Sequence, residues 1–371
     1  MEEYKFEEGS SIILDLIRGV SAQVVVIGHG ISFFGIFKFL HEPNFPWMQE
    51  IAVLIFFLLS GFLITYSTVK KKLNDVNYGF NHFFIDRFSR IYGAFIPAIF
   101  FVLTIDLISI NITPESYNFE SAFNLKTFIG NLFMFQDYPI FSFLAINVTS
   151  FGSARPFWTL AIEWWIYLWF GYIMLVILKN KKMTLLNILI LTFLSIVPVY
   201  NLLKGRGDGL IVYWLFGAII FIFSTLNLLV GISQKFKIFI VIILSGLSLV
   251  RAYLIMNAYD PIFAFLLAIV LWLLIDIYKN KNISIRIAQI IRFNASFSYT
   301  LYLVHYSILA FLKIHFSQNI NPYLLFTIGF LISNIISILI GRYTEIYLTK
   351  KIKTFLYERI EDKRFLTRYK R

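Results

Sequence analysis

Two ionisable residues lie in the first apolar segment of the chain, within the stretch LDLIRGVSAQVVVIGHG at residues 14–30. A charged side chain inside a membrane helix costs several kcal/mol unless another group compensates it, so Arg18 and His29 are candidates for function. Their spacing puts both side chains on one helix face, about 16 Å apart along the axis. Asp15 lies on the same face, one turn before Arg18, and is expected to neutralise that cation. One helix face is thus predicted to carry an acid, a permanent cation and a titratable base.

The composition indicates a membrane protein. Of the 371 residues, 58% are hydrophobic and 15% are charged, whereas an ordinary soluble domain has about 25% charged residues. The net charge of +12 does not indicate nucleic-acid binding, because the Lys and Arg residues fall in loops and near the C-terminus, as membrane topology requires. The chain has no cysteine, which excludes a thiolate nucleophile and a cysteine metal site.

Ten apolar segments are long enough to cross a bilayer, which takes about 17–25 residues. They are residues 11–36, 50–68, 89–110, 157–178, 184–202, 209–226, 236–256, 260–278, 297–315 and 322–347. The sequence therefore predicts an all-α polytopic membrane protein with about ten transmembrane helices. We divide it into an integral-membrane domain at residues 1–349 and a basic cytoplasmic tail at residues 350–371.

The distribution of positive charge predicts the orientation. Ten spans place 24 of the 33 Lys and Arg residues on one side of the membrane and 7 on the other, and leave Arg18 and Arg342 within it. Because cytoplasmic loops carry the excess of Lys and Arg, both termini are expected in the cytoplasm.

Five sequence blocks resemble those of acyltransferase family 3, the integral-membrane O-acyltransferases of bacterial surface polysaccharides. They occur in the family's order: LDLIRG followed by VVIGH (residues 14–29), FFLLSGFLI (56–64), FFIDRFSRIY (83–92), FWTLAIEWWIYL (157–168) and SYTLYLVHYSI (298–308). Two positions depart from the family pattern. Gly93 stands near the place of a proline, and Trp164 follows Glu163 where many relatives have a second acid. The second departure predicts that only one carboxylate acts here.

The resemblance implies an enzyme, a membrane-bound O-acyltransferase that depends on acyl-CoA. The implied donor is acetyl-CoA on the cytoplasmic side, without a metal cofactor. The implied acceptor is a hydroxyl group of a surface glycan or of its lipid-linked precursor. The location is then a bacterial inner or plasma membrane crossed several times, with membrane lipids as further partners and no nucleic acid. The alternative function is a multi-pass transporter or flippase of a glycan or small molecule, against which stands the absence of visible sequence repeats.

Four residues are candidates for donor binding: Arg18, Arg87, Arg90 and His305. The three guanidinium groups are predicted near the cytoplasmic side, and guanidinium groups bind phosphate oxygens in pairs. His305 is predicted about 12 Å from the cytoplasmic end of its helix, where it would line a channel for the donor. Two alternatives stay open. Arg87 and Arg90 could instead be ordinary positive residues of a cytoplasmic loop, without a ligand. His305 could instead be a packing residue that forms a structural hydrogen bond.

His29 and Glu163 are the candidate catalytic residues. His29 is predicted in the outer half of the membrane, and a neutral imidazole can take the proton of a sugar hydroxyl as that hydroxyl attacks a thioester. Glu163 overlaps His29 in predicted depth. It would orient the imidazole, as the acid of a catalytic triad does, or bind hydroxyl groups of the acceptor. Its structural alternative is a packing acid paired with Arg155 or a tyrosine.

Overall fold

The computed structural model describes residues 7–144, 146–179, 183–203, 209–226 and 228–368, except for the side chains of residues 142 and 361–368. The described residues form helices and connecting turns without a β-strand, which confirms the all-α prediction. The fourteen α-helices are α1 (Glu8–Phe34), α2 (Met48–Asn74), α3 (Phe80–Ile112), α4 (Leu125–Leu132), α5 (Pro139–Phe143), α6 (Phe157–Tyr172), α7 (Leu185–Leu203), α8 (Leu210–Thr225), α9 (Gln234–Ile255), α10 (Pro261–Tyr278), α11 (Ile285–Ser296), α12 (Ser298–Phe316), α13 (Pro322–Gly341) and α14 (Thr349–Arg368).

Each of the ten predicted spans coincides with one of these helices. Within the described ranges, eight helical stretches are long and apolar enough to cross a membrane, and α11 with α12 forms a ninth candidate bent by 49°. The remaining segment is α8, an apolar helix of 16 residues. The polytopic membrane architecture is therefore confirmed, whereas the orientation of the termini stays a prediction.

The chain folds into two compact units that do not follow the sequence order. Unit 1 comprises Met1–Lys70, Val199–Ser298 and Leu312–Ser333, and unit 2 comprises Lys71–Pro198, Tyr299–Phe311 and Asn334–Arg371. The boundary drawn at residue 350 from the sequence stays a prediction.

In unit 1, polar contacts fix α1 to α10 and α11. Ser10 donates from its hydroxyl to the carbonyl oxygen of Ile275 over 2.9 Å. The amide of Gln23 donates to the side-chain oxygen of Asn294 over 3.1 Å. Because a polar side chain in an apolar bundle is stable only with a partner, these contacts determine how α1 is rotated about its axis.

In unit 2, a long connection between α3 and α6 folds onto the helices that flank it. Asp106, 1% exposed, accepts hydrogen bonds from the backbone nitrogen and the hydroxyl of Ser153 over 2.8 Å and 2.7 Å. The indole nitrogen of Trp165 donates to the carbonyl oxygen of Met134 over 2.8 Å. Since both partners of each contact are well buried, the connection is a packed part of unit 2.

A π-helical stretch at Arg342–Leu348 joins α13 to α14. A π-helical turn widens the helix and shifts the side chains that follow it, and such turns occur often at functional sites. This stretch carries the buried residues Thr344 and Glu345. After it, α14 runs against α3, where a Cβ atom on Gly93 would overlap the Thr349 hydroxyl and lie 3.1 Å from Thr349 Cα. Gly93, which departs from the family pattern, thus allows the close approach of α14 to α3.

Candidate functional site

The predicted pair on α1 forms in unit 1. A terminal nitrogen of the Arg18 guanidinium lies 2.8 Å from Oδ1 of Asp15, and the two side chains are 31% and 24% exposed. The prediction that Asp15 neutralises Arg18 is therefore confirmed. Since neither side chain is fully buried, Arg18 keeps surface through which it can reach a ligand.

His29 lies in a tightly packed turn of the same helix. The glycines on either side of it are both close to neighbouring helices of unit 1. A Cβ atom at Gly28 would overlap Oε1 of Gln49 and lie 2.9 Å from its backbone nitrogen, and one at Gly30 would lie 2.7 Å from the ring of Phe326. The backbone that carries the imidazole is thus fixed between α2 and α13, which is the rigid support that a catalytic side chain needs.

Arg90 in unit 2 pairs with an acid far away in the sequence. Its guanidinium donates to Oε2 of Glu345 over 3.1 Å and lies over the ring of Tyr299, 5.6 Å from the centroid. The other oxygen of Glu345 accepts hydrogen bonds from the backbone nitrogen and the hydroxyl of Thr300 over 2.8 Å and 3.0 Å. The Glu345 side chain is 2% exposed. Glu345 thus fixes the position of Arg90 relative to the start of α12.

Glu163 meets the same tyrosine. Tyr299 interacts electrostatically with Glu163 as well as with Arg90 and Glu345. Glu163 accepts a short hydrogen bond from the hydroxyl of Tyr167, as its structural alternative predicted. The Tyr299 hydroxyl is buried and has no hydrogen-bond partner among the described residues. Unit 2 therefore brings Glu163 and Arg90, two of the predicted site residues, to Tyr299, and the carboxylate of Glu345 interacts with the same tyrosine. That only one carboxylate acts in the reaction stays a prediction.

His305 is fully buried in α12. It is 0% exposed, and its Nδ1 lies 2.9 Å from the carbonyl oxygen of Leu301. One turn earlier on the same helix, the hydroxyl of Tyr302 forms a hydrogen bond of 2.5 Å with that of Thr159 on α6. This geometry is that of a hydrogen-bonded packing residue, and a role of His305 in donor binding stays a proposal.

Arg87, one helical turn before Arg90, lies beside a different acid. The neighbouring Asp86, 2% exposed, accepts hydrogen bonds from Lys71 over 2.5 Å and from Lys353 over 2.8 Å. The hydroxyl of Tyr78 also donates to it over 2.9 Å. Burial, and then the negative charge of Asp86, raise the pKa of Tyr78, so this phenol stays a hydrogen-bond donor. We call Lys71, Asp86, Arg87 and Lys353 the Asp86 cluster.

Sequence reasoning missed Glu345, Asp86 and Lys353. A signal existed for Glu345, because an acid within the last apolar segment at residues 322–347 is itself a functional candidate. Asp86 stands inside the block FFIDRFSRIY, but its partner on α14 is 267 positions away (353 − 86), and no local pattern indicates that contact. Within the described ranges, no three His, Asp or Glu side chains are arranged to hold a metal ion.

Comparison with known proteins gives a family and two relatives. A family model described as an acyltransferase domain matches residues 12–342. A Bacillus subtilis (strain 168) protein named as a peptidoglycan O-acetyltransferase is 27% identical over 183 residues, which are 47% of this chain and 28% of the relative. A protein of Shigella phage Sf6 named as an O-acetyl transferase is 30% identical over 188 residues, which are 49% of this chain and 51% of the relative.

Each of the two matches covers only part of the relative's sequence. The chain spans about half or less of the length of each of these two proteins. No solved structure matches the chain significantly. The roles of individual residues are therefore proposed from their geometry within each unit.

Proposed function

This chain belongs to the family of acyltransferase domains, and we propose that it transfers an acetyl group from acyl-CoA to a hydroxyl group of a cell-surface polysaccharide or of its lipid-linked precursor. The family predicted from the five sequence blocks is confirmed. The observation that carries the proposal is the rigidly held His29, which shares one helix face with the Asp15–Arg18 pair at the start of the matched region. The two relatives, both named as O-acetyltransferases, support acetyl as the acyl group and oxygen as the acceptor atom.

His29 acts as the general base in this reaction. The acceptor hydroxyl oxygen attacks the thioester carbonyl carbon while the imidazole takes the hydroxyl proton. The C–S bond then breaks, the CoA thiolate leaves, and the proton on the imidazole is available to it. The products are an acetyl ester and CoA, so no oxidant, reductant or metal enters the balance.

Glu163 is the second catalytic residue that we propose. Its carboxylate accepts a hydrogen bond from Tyr167, and an ionised carboxylate can accept several hydrogen bonds, including those of hydroxyl groups. The buried Tyr299 hydroxyl, which has no hydrogen-bond partner within the described ranges, supplies a donor near the same carboxylate. The Glu163 carboxylate can accept a hydrogen bond from a sugar hydroxyl, and the Tyr299 phenol can donate one to it.

We assign donor binding to Arg18, Arg87, Arg90 and His305. Arg18 and Arg90 are both held by carboxylates and keep 31% and 39% of their side chains exposed. A guanidinium that is oriented in advance loses less entropy when it binds a ligand, so these arginines suit a donor rich in hydrogen-bond acceptors.

The test is acetyl transfer by the purified protein in detergent or in reconstituted membranes. Labelled acetyl-CoA is supplied with and without an isolated surface glycan, and both free acetate and glycan-bound label are measured. Wild-type protein should release or transfer label, and the His29→Ala variant should not. If wild-type protein binds neither acetyl-CoA nor CoA and consumes no acetyl-CoA, the transferase proposal is wrong, and the multi-pass transporter is the function to test next.

A further inference from the structure

A shallow cleft opens in unit 1 where three helix ends meet. It lies between the last turn of α8, the turn that follows it and the last two turns of α10. Its lining includes Phe223, Leu228, Trp272, Asp276 and Lys279. The start of α9 adjoins the cleft, because Lys237 near the beginning of α9 binds Asp276. These helix ends therefore lie at the same side of the membrane, which the distribution of positive charge predicts to be cytoplasmic.

The helix α8 beside the cleft is short for a membrane span. It has 16 residues, which at about 1.5 Å per residue extend over about 24 Å, whereas the hydrocarbon core of a bilayer is about 30 Å thick. A short span is accommodated when the bilayer thins around it or when polar groups reach inward. Lipid headgroups are therefore expected closer to the membrane centre at an end of α8 than beside α9, which has 22 residues.

The turn after α8 indicates that the cleft is at this end. Leu226, Leu228 and Val230 are each more than half exposed, although the turn joins two apolar helices. Apolar side chains that are so exposed are favoured in contact with lipid chains rather than with water. A turn also leaves backbone N–H and C=O groups without helical partners, and at hydrocarbon depth such groups need polar partners. A lipid headgroup in the cleft would provide them.

The charged groups around the cleft have a net positive charge. The ammonium group of Lys237 lies 2.6 Å from Oδ2 of Asp276, and the two side chains are 10% and 30% exposed. Their charges compensate each other. Lys279, one helical turn after Asp276, lines the cleft as a second cation. Two lysines and one aspartate therefore leave a net charge of +1 (2 − 1).

Charges in the adjoining residues do not remove this surplus. Lys235 and Lys281 are exposed lysines, two positions away from Lys237 and Lys279. Glu8 lies where α1 packs against the end of α10, and it pairs with Arg292 over 2.8 Å. The cleft is thus matched by a ligand with one negative charge.

The other wall of the cleft is apolar and aromatic. The rings of Phe223 and Trp272 lie 5.7 Å apart between centroids and are tilted by 51°. Leu228 extends this wall into the turn. Tryptophan is common at membrane interfaces, because its ring is apolar and its indole nitrogen is a hydrogen-bond donor. A ligand that fits here has a negative group next to apolar carbon atoms.

We propose that the cleft binds the headgroup of an anionic phospholipid, with the phosphate at Lys279 and an acyl chain along Phe223 and Leu228. A phosphodiester carries the single negative charge that the cleft matches, and an ammonium group forms strong hydrogen bonds to phosphate oxygens. A zwitterionic phospholipid would bring a further cation close to Lys237 and Lys279. The bound lipid stabilises the ends of α8, α9 and α10 against one another, independently of acetyl transfer.

The experiment measures binding of short-chain phosphatidylglycerol to the full-length protein in a neutral detergent. Native mass spectrometry counts the bound lipid, and the thermal unfolding midpoint is followed in the same titration, because a ligand of the folded state raises it. Lys279→Gln should weaken binding about tenfold, since a hydrogen bond to a charged group is lost. The matched control is Lys281→Gln, which removes an exposed lysine two positions away and should bind as wild type. Lys279→Arg should retain most of the affinity.

A second set of titrations identifies the ligand. Phosphatidylethanolamine and phosphatidylcholine with the same acyl chains should bind more weakly than phosphatidylglycerol. Inorganic phosphate should leave the unfolding midpoint unchanged at the concentration at which phosphatidylglycerol saturates. Leu228→Gln should also weaken binding of phosphatidylglycerol, because it removes an apolar contact, and it replaces Lys279→Gln if that variant unfolds early.

Three results would overturn the proposal. Equal affinity for the three lipids would exclude an anionic headgroup as the specific ligand. Equal losses in Lys279→Gln and Lys281→Gln would mean that general positive charge attracts the lipid without a defined cleft. If inorganic phosphate raises the midpoint as much as phosphatidylglycerol does, the ligand is a free phosphate and the lipid assignment is wrong.

Discussion

Arg18 and Arg90 are both partly exposed arginines held by a carboxylate, but their partners come from different distances along the chain. The partner of Arg18 is Asp15, three residues away on the same helix. The partner of Arg90 is Glu345, 255 residues away, whose carboxylate also binds Thr300. The first pair needs only one helix to form. The second pair needs α3, α12 and the π-helical stretch to be packed together.

Comparing the Asp15–Arg18 pair with the Arg90–Glu345 pair shows which contacts depend on tertiary structure. The Asp15–Arg18 pair and the register of His29 follow from helical periodicity alone. The group formed by Arg90, Glu345 and Tyr299 exists only when unit 2 has folded. We therefore expect changes at Arg18 and His29 on α1 to alter chemistry or donor affinity, and changes at Arg90 and Glu345 in unit 2 to alter stability as well.

The largest effect is expected on α1. His29→Ala should reduce acetyl transfer by about 10²- to 10⁴-fold, because loss of a general base typically costs that much. The rate of acetyl transfer is measured with labelled acetyl-CoA and is divided by the amount of each variant inserted in the membrane. His41→Ala is the control, since the His41 ring is stacked on Trp47 and has no assigned role. If a correctly inserted His29→Ala variant keeps most of its activity, His29 is not the general base.

The next effect separates the two members of the α1 pair. Arg18→Ala should weaken coenzyme A binding about tenfold, and Arg18→Lys should be nearly as weak, because an ammonium group cannot replace a planar guanidinium. Asp15→Ala should leave the affinity near that of wild type and lower the unfolding free energy by about 1 kcal/mol, between the values for surface and buried pairs. Calorimetric titration and thermal unfolding measure the two quantities. If Arg18→Ala binds coenzyme A as tightly as wild type, Arg18 is a structural residue.

The contrast between contacts within one helix and contacts between distant segments also explains which features the sequence could predict. Hydrophobic segments located ten of the fourteen α-helices in the described ranges, since each of these ten has to be apolar over its own length. The local pair on α1 was also predictable. The acid Glu345 could have been noticed within its apolar segment, but its partner could not, because nothing near residue 345 indicates that α3 lies beside it.

The role of Gly93 was hidden for the same reason. In the sequence it is a small residue where relatives have proline. In the structure it is the position where α14 approaches α3. Likewise, Lys353 belongs to a basic stretch that reads as a tail, whereas the structure pairs it with the buried Asp86. Contacts between distant segments carry no periodic signal, so such residues have to be identified from the fold.

The third prediction tests the long-range pair of unit 2. A double-mutant cycle of Arg90→Gln and Glu345→Gln should give a coupling of about 2 kcal/mol in unfolding free energy, within the range measured for contacting residues. Glu345→Gln alone should be the more destabilising change, because Glu345 is 2% exposed and Arg90 is 39% exposed. The same cycle on Asp15 and Arg18 should give a smaller coupling. Equal couplings would mean that the distance along the chain does not matter to the strength of these pairs.

The smallest expected effect concerns the packing that allows α14 to reach α3. Gly93→Ala replaces a poor helix former by the best one, which alone would stabilise a helix by up to about 1 kcal/mol. However, the new Cβ would overlap the Thr349 hydroxyl and lie 3.1 Å from Thr349 Cα. Overpacking typically costs about 1–3 kcal/mol, so the net result should be a destabilisation of about 1 kcal/mol.

The control for this change is Gly246→Ala on α9, where an added Cβ would meet no described atom within 4 Å. That variant should be neutral or slightly more stable, because it gains helix propensity without a clash. Adding Thr349→Ala to Gly93→Ala should recover only part of the loss, since the backbone atom at 3.1 Å remains. The test compares the thermal unfolding midpoints of wild type, Gly93→Ala, Gly246→Ala and the double variant Gly93→Ala with Thr349→Ala. A Gly93→Ala variant as stable as Gly246→Ala would show that α14 is not closely packed on α3, and the pairing of Lys353 with Asp86 would then lose its structural basis.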